Sequence, residues 1–180
     1  MPMRRRGFTL IEVIVALAIM ITLAAVVVPS VVSSLDRARV DRAQESLQGI
    51  ADAITAFQGD VNTYPASLTQ LIVAVQNQDP DICGNGIQNK DARNWTGPYL
   101  HRVLASGGLP VGIGTANNAF SVVAATNMAI SVTGVELADA EALDDRVDGD
   151  GTQSSGTVQW SAPDADNFVT LYWVVPFSGC

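Results

Sequence analysis

The chain has few cysteines and histidines, the side chains that bind zinc and often take part in nucleophilic catalysis. Its 180 residues include two cysteines, Cys83 and Cys180, and one histidine, His101. The cysteines are too far apart for a CxxC motif, and one histidine is too few for a Cys/His metal site. No nucleophile or carboxylate is spaced with His101 in a recognisable catalytic motif. A structural or surface role for His101 is therefore favoured over a catalytic one.

Basic residues are also scarce. The chain has 10 Lys and Arg residues against 18 Asp and Glu residues, and its formal net charge is −8 at pH 7. A nucleic-acid surface needs a basic stripe that displaces counterions from phosphate. The composition therefore argues against direct nucleic-acid binding, and the length fits one globular domain plus an anchor.

The N-terminus carries a long apolar segment behind a short basic leader, Arg4 to Arg6. From Phe8 to Val28 only Thr9, Glu12 and Thr22 are not apolar. As a helix this segment would be about 31 Å long, close to the roughly 30 Å hydrocarbon core of a bilayer. An ionisable group in such a segment costs about 2.5–3.5 kcal/mol on insertion scales, which makes Glu12 a functional candidate.

Three interpretations of this segment are open on the residues alone. A secretory signal peptide would end in a small-residue site such as Ala24-Ala25-Val26, after the apolar run. A plain signal anchor would explain the length and the arginines, because positive charge stays in the cytoplasm. Neither of these gives a reason for Glu12. The third interpretation is a processed precursor that is cut before the apolar run.

The third interpretation rests on a resemblance. The sequence Gly7-Phe8-Thr9-Leu10-Ile11-Glu12 resembles the type III signal of type IV pilins and type II secretion pseudopilins. The resemblance implies that a prepilin peptidase cuts between Gly7 and Phe8 and methylates the new amine of Phe8. It also implies that Glu12 neutralises the N-terminus of a neighbouring subunit during assembly. Such pairing makes physical sense because a buried charge is tolerated only with a partner.

The domain organisation predicted from these patterns has four parts: a leader at 1–7, a transmembrane and polymerisation helix at 8–29, an amphipathic half of the same helix at 30–59, and a globular headgroup at 60–180. Pro29 predicts a kink or a locally melted helix. The amphipathic half shows apolar residues at spacings of three or four. They are Val40, Ala43, Leu47, Ile50, Ala51, Ile54 and Phe57.

Four β-rich runs in the last third of the chain predict strands at 120–125, 129–135, 157–160 and 168–175. Together with the resemblance they predict an α+β fold of the type IV pilin kind. In that fold the long N-terminal helix packs on a four-stranded antiparallel sheet. For a chain that leaves the cytoplasm, a disulfide between Cys83 and Cys180 would tie down the C-terminus. The alternative is two buried free thiols.

Two segments join an aromatic residue to a proline. The first runs from Asp60 to Leu68 and the second from Trp95 to Leu100. Both resemble segments of type II secretion major pseudopilins, and both predict a turned backbone with its ring packed inward. The Asp-Pro-Trp-Gly loop typical of those major pseudopilins is missing here, and the segment 75–94 is longer than the resemblance leads us to expect.

An acidic segment from Leu143 to Gly151 is a candidate metal site. Carboxylates around glycines suit a hard cation such as Ca²⁺, and major pseudopilins are known for a calcium site in this region. The alternative is a solvated turn, because Asp-Gly is also a common hairpin signal. The candidate ligands are Asp144, Asp145, Asp148 and Asp150. Apart from this calcium, no cofactor is predicted.

The resemblance therefore implies a structural subunit of a type IV pilus-like filament, and we predict that the protein is not an enzyme. A pseudopilin of a type II secretion pseudopilus is the alternative, and a membrane-anchored extracytoplasmic binding domain is the alternative of a different class. The resemblance implies self-assembly and other pilins, a prepilin peptidase, an assembly ATPase and a platform protein as partners. It places the chain in the inner membrane before assembly, as a single-pass protein with a cytoplasmic N-terminus, and afterwards in a periplasmic or cell-surface filament.

Overall fold

A computed structural model describes residues 8–105 and 107–180 of the chain. The predicted leader at 1–7, and with it the Gly7 side of the cleavage site, lies outside the described residues. The chain divides after Ala38 into two compact units. The longest element, helix α1, runs from Leu10 to Val61 and contributes residues to both units.

The first unit exposes apolar side chains along its part of α1. The exposed large apolar residues are Phe8, Leu10, Ile11, Val13, Ile14, Val15, Leu17, Ile19, Met20, Ile21, Leu23, Val27, Val31 and Leu35. Among the residues that the structure describes, no helix combines the length and the apolarity that a membrane crossing requires. The transmembrane segment at 8–29 stays a prediction.

Helix α1 continues without a break through Pro29. Of the two outcomes predicted at this proline, a kink or local melting, the continuous helix excludes the melting, and the kink stays a prediction.

The second unit contains the remaining helices and all the strands that the structure describes. The helices are α2 (Leu68–Ile72), α3 (Asn89–Ala92) and α4 (Leu137–Val147), and the strands are β1 (Leu109–Pro110), β2 (Thr115–Ala116), β3 (Ser121–Ala124), β4 (Asn127–Glu136), β5 (Val158–Trp160) and β6 (Phe168–Pro176).

The strands form one antiparallel sheet around β4 and β6. The order is β1-β2-β4-β6-β5, and β3 pairs with the N-terminal end of β4 on the side that β2 occupies further along. All four predicted strands are present, as β3 to β6. The predicted count of four was wrong, because β1 and β2 are two residues each and too short to show a pattern of alternation.

The core of this unit lies between α1 and the sheet. On α1 the buried positions recur every three or four residues, and Leu47, Ile50, Ile54, Phe57 and Val61 are each 0% exposed. This confirms the predicted amphipathic half. Full burial of one such side chain stabilises the folded state by about 1.5–3 kcal/mol. The sheet contributes alternate residues of its two central strands, which are Met128, Ile130 and Val132 on β4 and Leu171, Trp173 and Val175 on β6.

The acidic segment begins inside a helix, which the sequence analysis did not predict. Helix α4 covers Leu137–Val147 and so includes Asp144 and Asp145. Ala140 and Leu143 lie on its buried side, together with two carboxylates, Asp139 and Asp144. Because acidic residues occupy buried positions, the apolar periodicity of this helix is weak in the sequence.

Cys83 and Cys180 form a disulfide, as predicted, with their Cα atoms 5.6 Å apart. The bond closes a loop between residues 97 positions apart. Next to it, the rings of Tyr64 and Phe177 meet edge to face with centroids 5.4 Å apart. The C-terminus is therefore fastened beside the end of α1.

Replacing both cysteines with serine should lower the free energy of unfolding by about 2–5 kcal/mol, because the open chain gains entropy when a long loop is no longer closed. The measurement is thermal unfolding of the full chain in detergent. A reductant should lower the melting temperature of the wild type and leave that of the Cys83→Ser/Cys180→Ser variant unchanged. Equal melting temperatures of the two proteins without reductant would contradict the prediction.

Candidate functional site

The first turn of α1 holds Glu12, the predicted assembly residue. Its backbone N–H donates to the carbonyl oxygen of Thr9 at 3.1 Å and lies 3.4 Å from the Thr9 Oγ1. The Glu12 side chain is exposed, and Phe8 is 83% exposed. The predicted new chain start and the carboxylate therefore lie within one helical turn, where both can reach a neighbouring molecule.

Thr9 is a residue that the sequence analysis missed. Thr9-Leu10-Ile11-Glu12 has the spacing of a capping box, in which a threonine oxygen receives the N–H of the third helical residue. A glutamate in the first turn also suits the positive end of the helix dipole. Glu12 can therefore support the start of the helix in addition to its predicted role in assembly. The T-x-x-E spacing in the sequence was the signal for the capping role.

The apolar side chains around Glu12 form the second part of this candidate surface. They are exposed on every side of the helix in the first unit. A helix that is apolar all round needs lipid or other helices around it. The arrangement suits helix bundling.

In the second unit, the two aromatic–proline segments meet at Asp60, near the C-terminal end of α1. The Asp60 Oδ2 accepts the O–H of Tyr99 at 2.8 Å and the hydroxyl of Thr96. The Trp95 Nε1–H donates to the carbonyl of Gln70 at 3.1 Å. We call Asp60, Trp95, Thr96 and Tyr99 the Asp60 cluster.

The two rings of this cluster pack against each other and against Phe57 of α1, as the sequence analysis predicted for the second segment. Tyr99 meets Phe57 edge to face at 5.8 Å between centroids, and it meets Trp95 in the same way at 5.5 Å. The backbone N–H of Tyr99 also donates to the carbonyl of Leu71 at 2.8 Å. The Asp60 cluster therefore joins α1 and α2 to the loop at 95–100.

The hydrogen bonds of the cluster shift the titration of its members. The bond from Thr96, and then that from Tyr99, lowers the pKa of the Asp60 carboxyl. Burial is the main reason that the pKa of Tyr99 is raised. These shifts favour a carboxylate that accepts and a phenol that donates, which is a structural clamp.

Asp60→Asn should reduce the stability of the second unit at neutral pH and flatten its acid dependence. Because the pKa of Asp60 is lowered on folding, its contribution is present above the unfolded pKa and is lost as pH falls through the folded pKa. The measurement is melting temperature of the full chain between neutral and acid pH. Asp52→Asn, on an exposed position of the same helix, serves as the control. Parallel acid profiles for Asp60→Asn and wild type would contradict this assignment.

The four carboxylates predicted to bind calcium have different surroundings. Asp144 is 0% exposed, and its Oδ2 accepts the N–H of Gly151 at 2.9 Å. The Asp148 Oδ2 accepts the N–H of Val158 at 2.7 Å. The Asp150 Oδ1 accepts both the N–H and the hydroxyl of Thr152, at 2.9 and 2.7 Å.

These bonds set the electrostatics of the acidic turn. Burial raises the pKa of Asp144, and the negative charges of Asp150, Asp148 and Asp145 raise it further. The hydrogen bonds from Thr152 lower the pKa of Asp150. The turn therefore holds one carboxyl that resists ionisation and one that is stabilised as an anion, each by its own local partners.

The residues fit a calcium ion only in part. The Oδ1 of Asp144 is buried and has no hydrogen-bond partner among the described residues, as an ion ligand would be. Two of the other carboxylates already accept backbone N–H groups, and Asp145 is exposed. Within the described ranges, no group of three or more Asp, Glu, His or Cys side chains is placed to hold a metal. Ca²⁺ takes six to eight oxygen ligands.

Removal of calcium distinguishes the two interpretations of this turn. A bound ion that joins the carboxylates would be lost to a chelator, and the melting temperature would fall because ligand binding stabilises the folded state. The hydrogen-bonded turn seen here leads us to expect an unchanged melting temperature. The measurement is thermal unfolding of the full chain with and without EGTA. A fall that added calcium reverses, but magnesium does not, would identify a calcium site.

Two protein-family models match the chain. A prokaryotic N-terminal methylation motif matches residues 2–28. Protein G of the type II secretion system matches residues 30–107. The second match contains the buried face of α1 and both aromatic–proline segments. No solved structure matches the chain.

Curated relatives point in the same direction. A type II secretion system core protein G of Pseudomonas aeruginosa is 43% identical over 77 residues, 41% of this chain and 54% of the relative. The core protein G of Klebsiella pneumoniae is 28% identical over 103 residues, 56% and 66% of the two chains. A fimbrial protein of Neisseria meningitidis is 32% identical over 90 residues, 50% and 51% of the two chains. The matches span about half to two thirds of these relatives.

A methylation-type N-terminus, a long helix and an antiparallel sheet packed on the second part of that helix define a structural subunit of the pilin class. Such a protein is not an enzyme. Through its N-terminal motif and residues 30–107, the chain resembles the superfamily of type IV pilins and type II secretion pseudopilins.

Proposed function

We propose that this protein is a pseudopilin that assembles into the filament of a type II secretion system. One observation carries the proposal: the protein G family match runs over residues 30–107, through the segments that meet at the Asp60 cluster. Those segments form the part of the fold where α1 joins the loops. A match over such a structural junction supports the pseudopilin more than a match over the N-terminal signal, which all pilins share.

The proposed mechanism is mechanical. The chain is inserted in the inner membrane through residues 8–29, with its N-terminus in the cytoplasm. A prepilin peptidase cuts between Gly7 and Phe8 and methylates Phe8, and the exposed apolar helix then docks on its neighbours. Glu12 pairs with the amine of an adjacent subunit. A charge moved out of water favours the one register in which it finds an opposite charge.

The partners follow from this mechanism. The filament contains further copies of the chain and other pseudopilins, and an assembly ATPase with its platform protein drives extraction from the membrane. The filament then lies in the periplasm. No step of the mechanism uses a metal, and the Cys83–Cys180 disulfide suits an oxidising compartment.

A subunit of a cell-surface type IV pilus is the second candidate. The match to a fimbrial protein supports it. The disulfide that fastens the C-terminus supports it as well, because such a bond favours a type IV pilin. The missing Asp-Pro-Trp-Gly loop also fits this candidate better than a major pseudopilin.

Glu12→Ala tests the assembly mechanism. In the native host the variant should be inserted and cleaved, so that N-terminal sequencing begins at Phe8, yet it should form no filaments, because the neighbouring amine lacks its partner. The measurements are filament yield after shearing and electron microscopy. In the same strain, loss of protein secretion would favour the pseudopilus, whereas loss of surface pili with normal secretion would favour the second candidate.

Glu12→Gln is the matched control for helix capping. Glutamine can replace glutamate in a capping box but carries no charge. We therefore expect Glu12→Gln to fail in assembly as Glu12→Ala does. If Glu12→Gln builds normal filaments and Glu12→Ala builds none, the glutamate acts as a cap and the charge-pairing mechanism is wrong.

A further inference from the structure

Strand β3 presents an apolar edge to solvent. All four of its side chains, Ser121 to Ala124, are exposed, with Val122 at 44% and Val123 at 47%. It pairs with β4 through Ser121, Val122 and Ala124, and it pairs with no other strand that the structure describes. The outer side of β3 is therefore a sheet edge.

This edge lies in the longest uncharged part of the second unit. No Asp, Glu, Lys, Arg or His occurs from Val103 to Val135. Proteins commonly protect an exposed edge strand with charged side chains, especially lysine. Here β3 has no charge within it or beside it in sequence, although its four-residue length and a shift of register limit further strand pairing.

The sequence that follows is strongly acidic. Between residues 136 and 166 the only basic side chain is Arg146, which is paired with Asp41. The acidic side chains of this stretch are Glu136, Asp139, Glu141, Asp144, Asp145, Asp148, Asp150, Asp164 and Asp166. Two copies of the chain that met through this region would place like charges together, which opposes association.

We propose that Val122 and Val123 of β3 form a contact with a neighbouring copy of this chain in the filament. The inference rests on the proposed function, because it takes the second copy to be a filament neighbour. The charge distribution selects that occupant: in a protein with a formal net charge of −8, the uncharged edge lets copies approach without apposed carboxylates. A strongly cationic partner would instead favour the acidic stretch.

The contact is made through side chains. Four residues and an irregular register give little backbone for an added strand, whereas two half-exposed valines offer apolar area for burial. So small a patch is too weak to hold two free molecules together. It contributes when α1 already holds the subunits side by side, since the second contact is then intramolecular.

Val123→Asp in the full chain, expressed in the native host, tests this contact. We expect about a tenfold lower filament yield after shearing, because a carboxylate at this apolar contact would be taken out of water without a partner. Cleaved subunit in the membrane and the melting temperature of the purified chain should stay at wild-type levels. Val123→Thr keeps a β-branched side chain without charge and should assemble normally.

Val73→Asp is the matched control, because Val73 is also an exposed valine of the second unit, at 58%, outside β3. It should leave the filament yield unchanged. Wild-type yield from Val123→Asp, or an equal loss from Val73→Asp, would overturn the assignment of β3. If the wild-type chain itself forms no filaments in a host with its assembly proteins, the proposed function fails instead, so the two failures are distinguishable.

Discussion

The packing of α1 on the central strands of the sheet is the interaction on which the second unit depends. Its buried face runs from Val40 to Val61, and the opposing residues come from β4 and β6. Without that face, one apolar side of the sheet would be exposed to water, at a cost of about 25 cal/mol per Å² of apolar surface. The Asp60 cluster and the disulfide then fix the loops around the C-terminal end of α1.

The apolar residues of α1 have different surroundings in the two parts of the helix. Beyond Arg39 its apolar residues form one stripe and find their partners within the chain. Before Ala38 the apolar side chains that the structure describes are exposed, and such a surface is suited to lipid or to other helices. The folding of the second unit and the assembly of the first therefore use one physical effect, apolar burial, with different partners.

The charges of the second unit are ordered by hydrogen bonds within the chain. In the acidic segment from Leu143 to Gly151, three carboxylates accept backbone N–H groups, and one of these also accepts a hydroxyl. The opposite property, a lack of charge, marks the β3 edge. Both follow from the cost of leaving a charge unpaired away from water.

The sequence by itself determined the features that depend on neighbouring residues: the methylation motif at residues 2–28, the stripe from Val40 to Phe57, and the four longer strands. Each shows in a local period or motif because residues within one turn or one strand share an environment. Only the tertiary structure decided which distant groups meet. The bond between Asp60 and Tyr99, the burial of Asp144 in α4 and the two short strands depend on long-range contacts, which leave no period in the sequence.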